Sequence, residues 1–346
     1  MTKGKEKYTS IDLFSGCGGL SEGLLQAGFQ VDVALEIDPI ASAVYTLNHP
    51  KTHIIVDDIR KVSKDQVLTK LSVKKIGLLA GCPPCQGFSS MRTLNRKRPV
   101  ADKRNNLISE YIRFVEELRP YTIMLENVPG LIDFSLFKKA IKRLKEIGYH
   151  NIDYKVVNVK DFGIPQRRKR LVLVGSRLGE IKVAEPSYER VTVKDIIGKL
   201  PLPSKSTDEL HKIFPTHTSK ILDRIKKTPK DGGSRKDLPK EYILQCHNKL
   251  NVGFNDVYGR LRWDDYSSTI TGGCLNPSKG RFLHPEQNRC ISAREAALLQ
   301  SFSANYKFPT EIPRSNLALL IGNALPPKFS YIQSKNIWNH LKNHLG

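Results

Sequence analysis

The stretch IDLFSGCGGLSEGL, residues 11–24, passes from an apolar run through a glycine cluster into a helix-like pattern. Gly16, Gly18 and Gly19 fall between the two, where glycine lets a backbone turn tightly and approach a ligand closely. The helix that follows offers free N–H groups at its first turn. A dinucleotide-binding fingerprint wants Gly-x-Gly-x-x-Gly/Ala, and Ser21 stands in the third place. Glu36 closes the next β-rich run, twenty residues after Gly16, where a carboxylate can accept the hydroxyls of a ribose. Asp58 closes the run after that. Together these residues describe a pocket for an adenosine-containing cofactor without saying which.

Outward from this loop, β-rich runs at 8–14, 31–37, 53–56, 76–80, 121–125, 154–159 and 170–174 alternate with helix-like stretches at 20–27, 40–48, 106–118 and 136–147. Such alternation predicts an α/β fold on a mostly parallel sheet, with its site at the carboxyl ends of the strands. From about residue 185 the texture turns to Pro, Lys, Gly and polar residues, yet Tyr242, Ile243, Leu244, Val252, Phe254, Val257, Tyr258 and Trp263 supply the material of a small irregular domain. Helix returns at 292–301, and the chain closes with a turn and an amphipathic helix. The expected division is residues 1–185, 186–275 and 276–346, the last returning to the first.

The chain has 346 residues, enough for a substantial core, and six cysteines, too sparse for a disulfide framework. No signal segment or membrane-length apolar run is evident, so a cytoplasmic, soluble protein is expected. Fifty-six Lys and Arg against 34 Asp and Glu give a formal charge of +22, the footprint of a polyanion binder, with nucleic acid first among the candidates. Two clusters concentrate that charge: Arg92, Arg96, Lys97, Arg98, Lys103 and Arg104, and then Arg167, Arg168, Lys169 and Arg170.

The first cluster follows GCPPCQGFSS, residues 81–90. A zinc site would need a second ligand pair at suitable spacing, which Cys246, His247, Cys274 and Cys290 do not offer, so no metal is expected. A thioredoxin-like pair would open a helix, whereas QGFSS continues as a polar loop. A lone nucleophile or a structural thiol remains, and a reactive thiolate would need nearby cations to lower its pKa. In LENVPG, Glu126 follows another strand and so also lies at a carboxyl end, where a protonated acid could donate to a ring nitrogen.

Taken in order, DLFSGCGG, the strand-end Glu36, DDI, PPCQGFS, ENV, QRRKR, REAALLQSF and GNALPP resemble the motifs of the cytosine-C5 DNA methyltransferase family, of the bacterial restriction-modification kind. The resemblance implies a Rossmann-like methyltransferase fold, S-adenosyl-L-methionine as methyl donor and S-adenosyl-L-homocysteine as product. It implies that Cys85, not Cys82, is the nucleophile, that Glu126 acts at N3 and the exocyclic amine, and that Arg168 serves the O2 side. Phe14 is expected to stack on adenine, Glu36 to hold the ribose, and Asp58 with Ile59 to meet the adenine edge. Gly16, Gly18, Gly19, Leu107 and Asn323 complete that pocket, and Ile37 departs from the aromatic many members carry beside the acid.

Double-stranded DNA is the implied partner. Contacts are expected from Gln86, Ser89, Arg92, Arg104, Arg170, Arg260 and Arg262, with 89–104 closing over a flipped-out base. Residues 186–275 would recognise the target sequence. A monomer is expected, paired in function with a restriction endonuclease but in no stable complex with it. Three rivals are an RNA methyltransferase on the same core, an NAD-dependent dehydrogenase and a non-catalytic DNA-binding protein. Ser21 tells against the dehydrogenase, and Cys85 with Glu126 tells against the non-catalytic protein.

Overall fold

A computed structural model describes residues 8–73, 75–84, 107–245 and 256–346. The chain divides into two compact units: Met1–Asn158 with Lys169–Pro186 and Leu325–Gly346, and Val159–Arg168 with Ser187–Ala324.

The first unit opens with β1 (Thr9–Leu13), α1 (Gly19–Ala27), β2 (Gln30–Glu36), α2 (Pro39–Asn48), β3 (His53–Val56), α3 (Lys64–Leu68) and β4 (Ile76–Gly81). It continues with α4 (Leu107–Leu118), β5 (Thr122–Asn127), α5 (Ser135–Glu146), β6 (Asn151–Asn158) and β7 (Lys169–Ser176). Local chemistry punctuates these elements. Gly28, at φ 111°, stops α1 by donating its N–H to the carbonyls of Leu24 and Leu25. Asp38 starts α2 by accepting from the N–H groups of Ile40 and Ala41, with Pro39 in the first turn.

The seven strands form one sheet in the order β3-β2-β1-β4-β5-β7-β6. The five from β3 to β5 are parallel; β7 runs antiparallel to both β5 and β6. Strand order reverses where β1 separates β2 from β4, the switch point at which such sheets bind ligands. All residues of β1, β4 and β5 are buried, as expected of parallel strands covered on both faces. The α/β class with a mostly parallel sheet is therefore as the sequence predicts. Short α3 was not foreseen, although Ser63 and Gln66 form a reciprocal capping box that announces it.

The second unit carries α6 (Val193–Ile197), α7 (Ser219–Lys227), α8 (Ala293–Leu299) and α9 (Arg314–Asn323), linked by loops and short 3₁₀ turns. Isolated bridges pair Gln166 with Ser267 and Leu283 with both Arg260 and Cys290. After it, α10 (Pro327–Leu345) belongs to the first unit and lies on α1. Ser330 Oγ donates to the Leu20 carbonyl across that contact, at 2.7 Å. Among the described residues no helix is long and apolar enough to cross a membrane.

Gly23 makes the α1–α10 approach possible, since a Cβ there would sit 2.4 Å from both Ser330 Cβ and the Tyr331 nitrogen. Gly23→Ala is expected to cost about 3 kcal/mol of stability through overpacking, outweighing the ~1 kcal/mol gained in helix propensity. Urea denaturation checks this, and an unchanged or higher midpoint would contradict it.

Candidate active site

Strand register brings the sequence motifs to one edge of the sheet. Leu13, the last residue of β1, aligns with Leu35 in β2 and Gly81 in β4, and Gly81 aligns with Leu125 in β5. The next residues therefore emerge side by side: the glycine loop from β1, Glu36 from β2, Cys82 from β4 and Glu126 from β5. Gly81 must be glycine here, because a Cβ would meet the Leu13 carbonyl at 2.9 Å.

The glycine loop turns through left-handed backbone at Phe14 (φ 62°), Gly16 (φ 55°) and Gly18 (φ 96°). Among the described residues a Cβ on Gly16 would meet nothing within 4 Å, so conformation rather than crowding selects glycine there. The Gly16 N–H donates to Glu36 Oε2 at 2.7 Å, while those of Ile37 and Asp38 donate to Oε1 at 2.9 and 2.8 Å. Burial nonetheless raises the Glu36 pKa, against the pull of these three donors. Ile37 beside it is exposed, at 61%. Asp58 lies two residues beyond β3, its carboxylate chelated by the Arg60 guanidinium and held down at about 2 by those hydrogen bonds. Ile59 is buried and Leu107 begins α4.

Beneath the loop, Ser21 donates to Asp12 Oδ2 at 2.7 Å and meets the Tyr45 hydroxyl at 2.7 Å. Ser21, which broke the dinucleotide fingerprint, thus ties β1 to α1 and α2. Asp12 is wholly buried, and its Oδ1 has no hydrogen-bond partner among the described residues. Burial pushes its carboxyl up to about 7, Ser21 opposes, and the Glu36 charge adds to the rise.

At the β4 and β5 ends, Cys82 donates its N–H to the Leu13 carbonyl at 3.2 Å. Burial, reinforced by the Glu126 and Asp12 charges, pushes its thiol well above the ordinary range, the state of an inert cysteine. Asn127 Nδ2 donates to the Pro83 carbonyl at 2.9 Å, fastening the proline turn to β5. Glu126 Oε1 receives the Nε of Arg170 at 2.7 Å, both side chains being largely buried. Antiparallel β7 makes this possible by bringing its amino end to the edge where the parallel strands finish. Cys85, Gln86, Ser89, Arg92 and Arg104, with the expected closing loop at 89–104, lie outside the described residues.

The second unit gives other parts to several expected site residues. Arg168 is buried, its terminal nitrogens donating to the carbonyls of Ile270, Gly322 and Ala324 at 2.8, 3.0 and 3.4 Å. Arg260 is fully buried, donating to the carbonyls of Ile225, Thr228, His284 and Gln287 and to Asn288 Oδ1. The expectation that Arg260 touches DNA is therefore corrected: its donors are spent inside the protein. Arg262 is exposed, as is Asn323 at the end of α9. Sequence reading also missed an amide link between motifs, in which Gln166 donates to Gln300 Oε1 at 2.7 Å and Gln300 donates to the Ile321 carbonyl at 2.7 Å. Among the described residues no group of three His, Cys, Asp or Glu could hold a metal.

Residues 8–339 match the family model for C-5 cytosine-specific DNA methylases. The chain is 35% identical to the type II methylase M.HgiDII of Herpetosiphon aurantiacus, over 96% of this chain and 95% of that protein. It is 34% identical to the type II methyltransferase M1.HphI of Haemophilus parahaemolyticus, over 92% and 83% of the two. Among solved structures, an E. coli prophage protein assigned as a DNA modification methyltransferase superposes with a TM-score of 0.74 at 26% identity, covering 97% of this chain and all of that one. The Dnmt2 methyltransferase of S. pombe shares the fold, with a TM-score of 0.66 at 18% identity, over 97% and 99%.

Asp12 yields a stability test. Its folded pKa of about 7 exceeds the ordinary 3.8, so between these values the folded chain binds more protons than the unfolded one. Its contribution is then complete below about pH 4 and lost as pH rises through about 7. Asp12→Asn is expected to flatten that part of the stability profile, measured by denaturation across pH 4–8. An unchanged slope in the variant would assign the dependence to other groups.

Proposed function

The chain belongs to the C-5 cytosine-specific DNA methylase family and is a DNA cytosine-5 methyltransferase, and from that premise we propose that it methylates a flipped-out cytosine within a short DNA sequence, through a covalent adduct on Cys85. The observation that carries this reading is the Glu126–Arg170 pair standing beside the Cys82–Pro83 turn that leads to Cys85.

The residues around the glycine loop fit S-adenosyl-L-methionine. Gly16 leaves its surroundings open, and Glu36 is a fixed acceptor suited to ribose hydroxyls. The acidic set Glu36 and Asp58 suits a cationic sulfonium better than a pyrophosphate. We assign Phe14 and the glycines to this pocket, Asp58 and Ile59 to its adenine end, and Leu107 to its wall. When bound, the cofactor supplies an electrophilic methyl group and leaves as S-adenosyl-L-homocysteine.

Cytosine C5 is too electron-poor to take that methyl unaided. Addition of the Cys85 thiolate at C6 makes C5 an enamine carbon, a case of nucleophilic catalysis. We assign Glu126 to N3 and the exocyclic amine, where it keeps negative charge from building up on the ring. We assign the O2 side to Arg170 in place of Arg168, because Arg170 shares the sheet edge with Glu126 whereas the Arg168 nitrogens serve backbone carbonyls. The methylated C5 then gives up its proton to solvent water, so that the C5–C6 double bond re-forms as the C6–S bond breaks and the Cys85 thiolate leaves. The base must leave the stack to be reached at all. Residues 186–275 are assigned to target recognition, with exposed Arg262 among the contacts, in a monomer that works alongside a restriction endonuclease without binding it stably.

Cys85→Ser is expected to abolish tritiated-methyl transfer, while Cys82→Ser keeps most of it, since the Cys82 thiol, its pKa raised well above the ordinary range, does no chemistry. Similar losses in the two variants would restore a paired-cysteine mechanism. DNA binding should weaken steeply with salt, with a log-log slope of about −0.9 for each phosphate neutralised and several units overall. A nearly flat titration would make the basic excess a matter of surface composition only.

A further inference from the structure

One guanidinium fastens the turn after β3 to helix α4. Arg113 Nη2 donates to the carbonyl of Ile59 at 2.8 Å and to that of Val62 at 3.2 Å. Its other nitrogens are engaged on the helix itself, Nε with Glu110 at 2.8 Å and Nη1 with Glu117 at 3.1 Å. Carboxylates three residues before and four residues after thus set the plane of the guanidinium before it crosses to the turn. A lysine could not replace this, having a single ammonium and no rigid fork.

Apolar contact alone would hold the turn near the helix, because Ile59 and Val62 share a core with Ile108 and Ile112. Such contact is non-directional. The arginine adds orientation: it fixes the Ile59 and Val62 carbonyls, and with them the peptide planes of the turn. Within that turn the Asp58 carbonyl accepts the Lys61 N–H at 2.8 Å and the Ile59 carbonyl also accepts the Val62 N–H at 3.3 Å. Leu107 lies six residues before Arg113 on the same helix.

We infer that Arg113 is a positioning residue for the adenine end of the cofactor pocket, aligning the Asp58–Ile59 peptide with the Leu107 end of α4 and so setting the preference for adenine over other purines. This rests on the assignment of Asp58, Ile59 and Leu107 made under Proposed function. Adenine offers an amino donor next to a ring-nitrogen acceptor, which a carboxylate and a neighbouring backbone N–H complement. Hypoxanthine reverses both groups, placing an oxygen against the carboxylate. Discrimination between them requires that the carboxylate and the N–H keep a fixed spacing: within the turn Arg60 orients the Asp58 carboxylate, and Arg113 holds the turn that carries both.

The test is calorimetric binding of S-adenosyl-L-homocysteine and its inosine counterpart, S-inosyl-L-homocysteine, to the full chain and to Arg113→Met and Arg113→Lys. The unaltered protein should prefer the adenosine compound. In Arg113→Met its affinity should fall about tenfold, the scale of losing hydrogen bonds from a charged donor, while affinity for the inosine compound stays nearly constant and the preference collapses. Arg113→Lys, which keeps the charge without the fork, should fall between. An unchanged preference in either variant, or an equal loss toward both compounds, would overturn the inference and leave Arg113 a structural clamp. A lack of preference in the unaltered protein would overturn the adenine-end assignment itself, and the inference with it.

Discussion

The site depends on the level at which β1 ends. Leu13 pairs with Leu35 on one side and Gly81 on the other, and its carbonyl accepts the Cys82 N–H, so three strands stop together. Nothing larger than glycine fits at residue 81. A slip of one residue between β1 and β4 would turn every side chain of one strand to the opposite face. It would also carry the Cys82–Pro83 turn away from Asn127, which grips it from β5. The backbone register therefore fixes the separation between the glycine loop and the proline turn, and the side chains at the edge refine a geometry already set.

Much of this edge was legible in the sequence. Parallel strands buried on both faces read as short apolar runs, and the residues closing them, Glu36 and Glu126, stand out by charge. What was not legible is the direction of β7. KRLVLVGS has the same composition whichever way it runs, and the ten residues between β6 and β7 leave for the other unit. Without that direction, nothing chooses among the arginines of QRRKR. Side chains alternate along an extended chain, so Arg168 and Arg170 are equivalent by pattern. Only the antiparallel pairing gives Arg170 to Glu126 and leaves Arg168 to the carbonyls of the second unit.

Arg260 and Arg262 repeat the lesson. Two residues apart in GRLRW, they are alike in sequence, yet one is sealed among carbonyls and the other exposed. The difference arises from where the 225–228 and 284–288 segments fold over the chain, a long-range fact that no local window holds. Gln166 and Gln300 are a related case. They lie in segments that resemble functional motifs, but each spends its amide joining one segment to another. Part of what marks this sequence as a methyltransferase is the wiring that holds its motifs in place.

The same distinction governs what the +22 charge can do. Arg289 and Arg294 are buried against Glu295 and Asp208, so their charge is largely cancelled where it sits. Among the described residues Arg260 has no carboxylate partner, and burial lowers its pKa. A buried charge of this kind still adds to the field that draws a polyanion toward the protein, and it is less screened by salt than an exposed one. It cannot meet a phosphate, however, and so displaces no condensed counterion. Formal charge therefore measures the attraction acting at a distance, whereas the number of phosphates held on contact is set by the exposed lysines and arginines, a smaller population that only the folded chain defines.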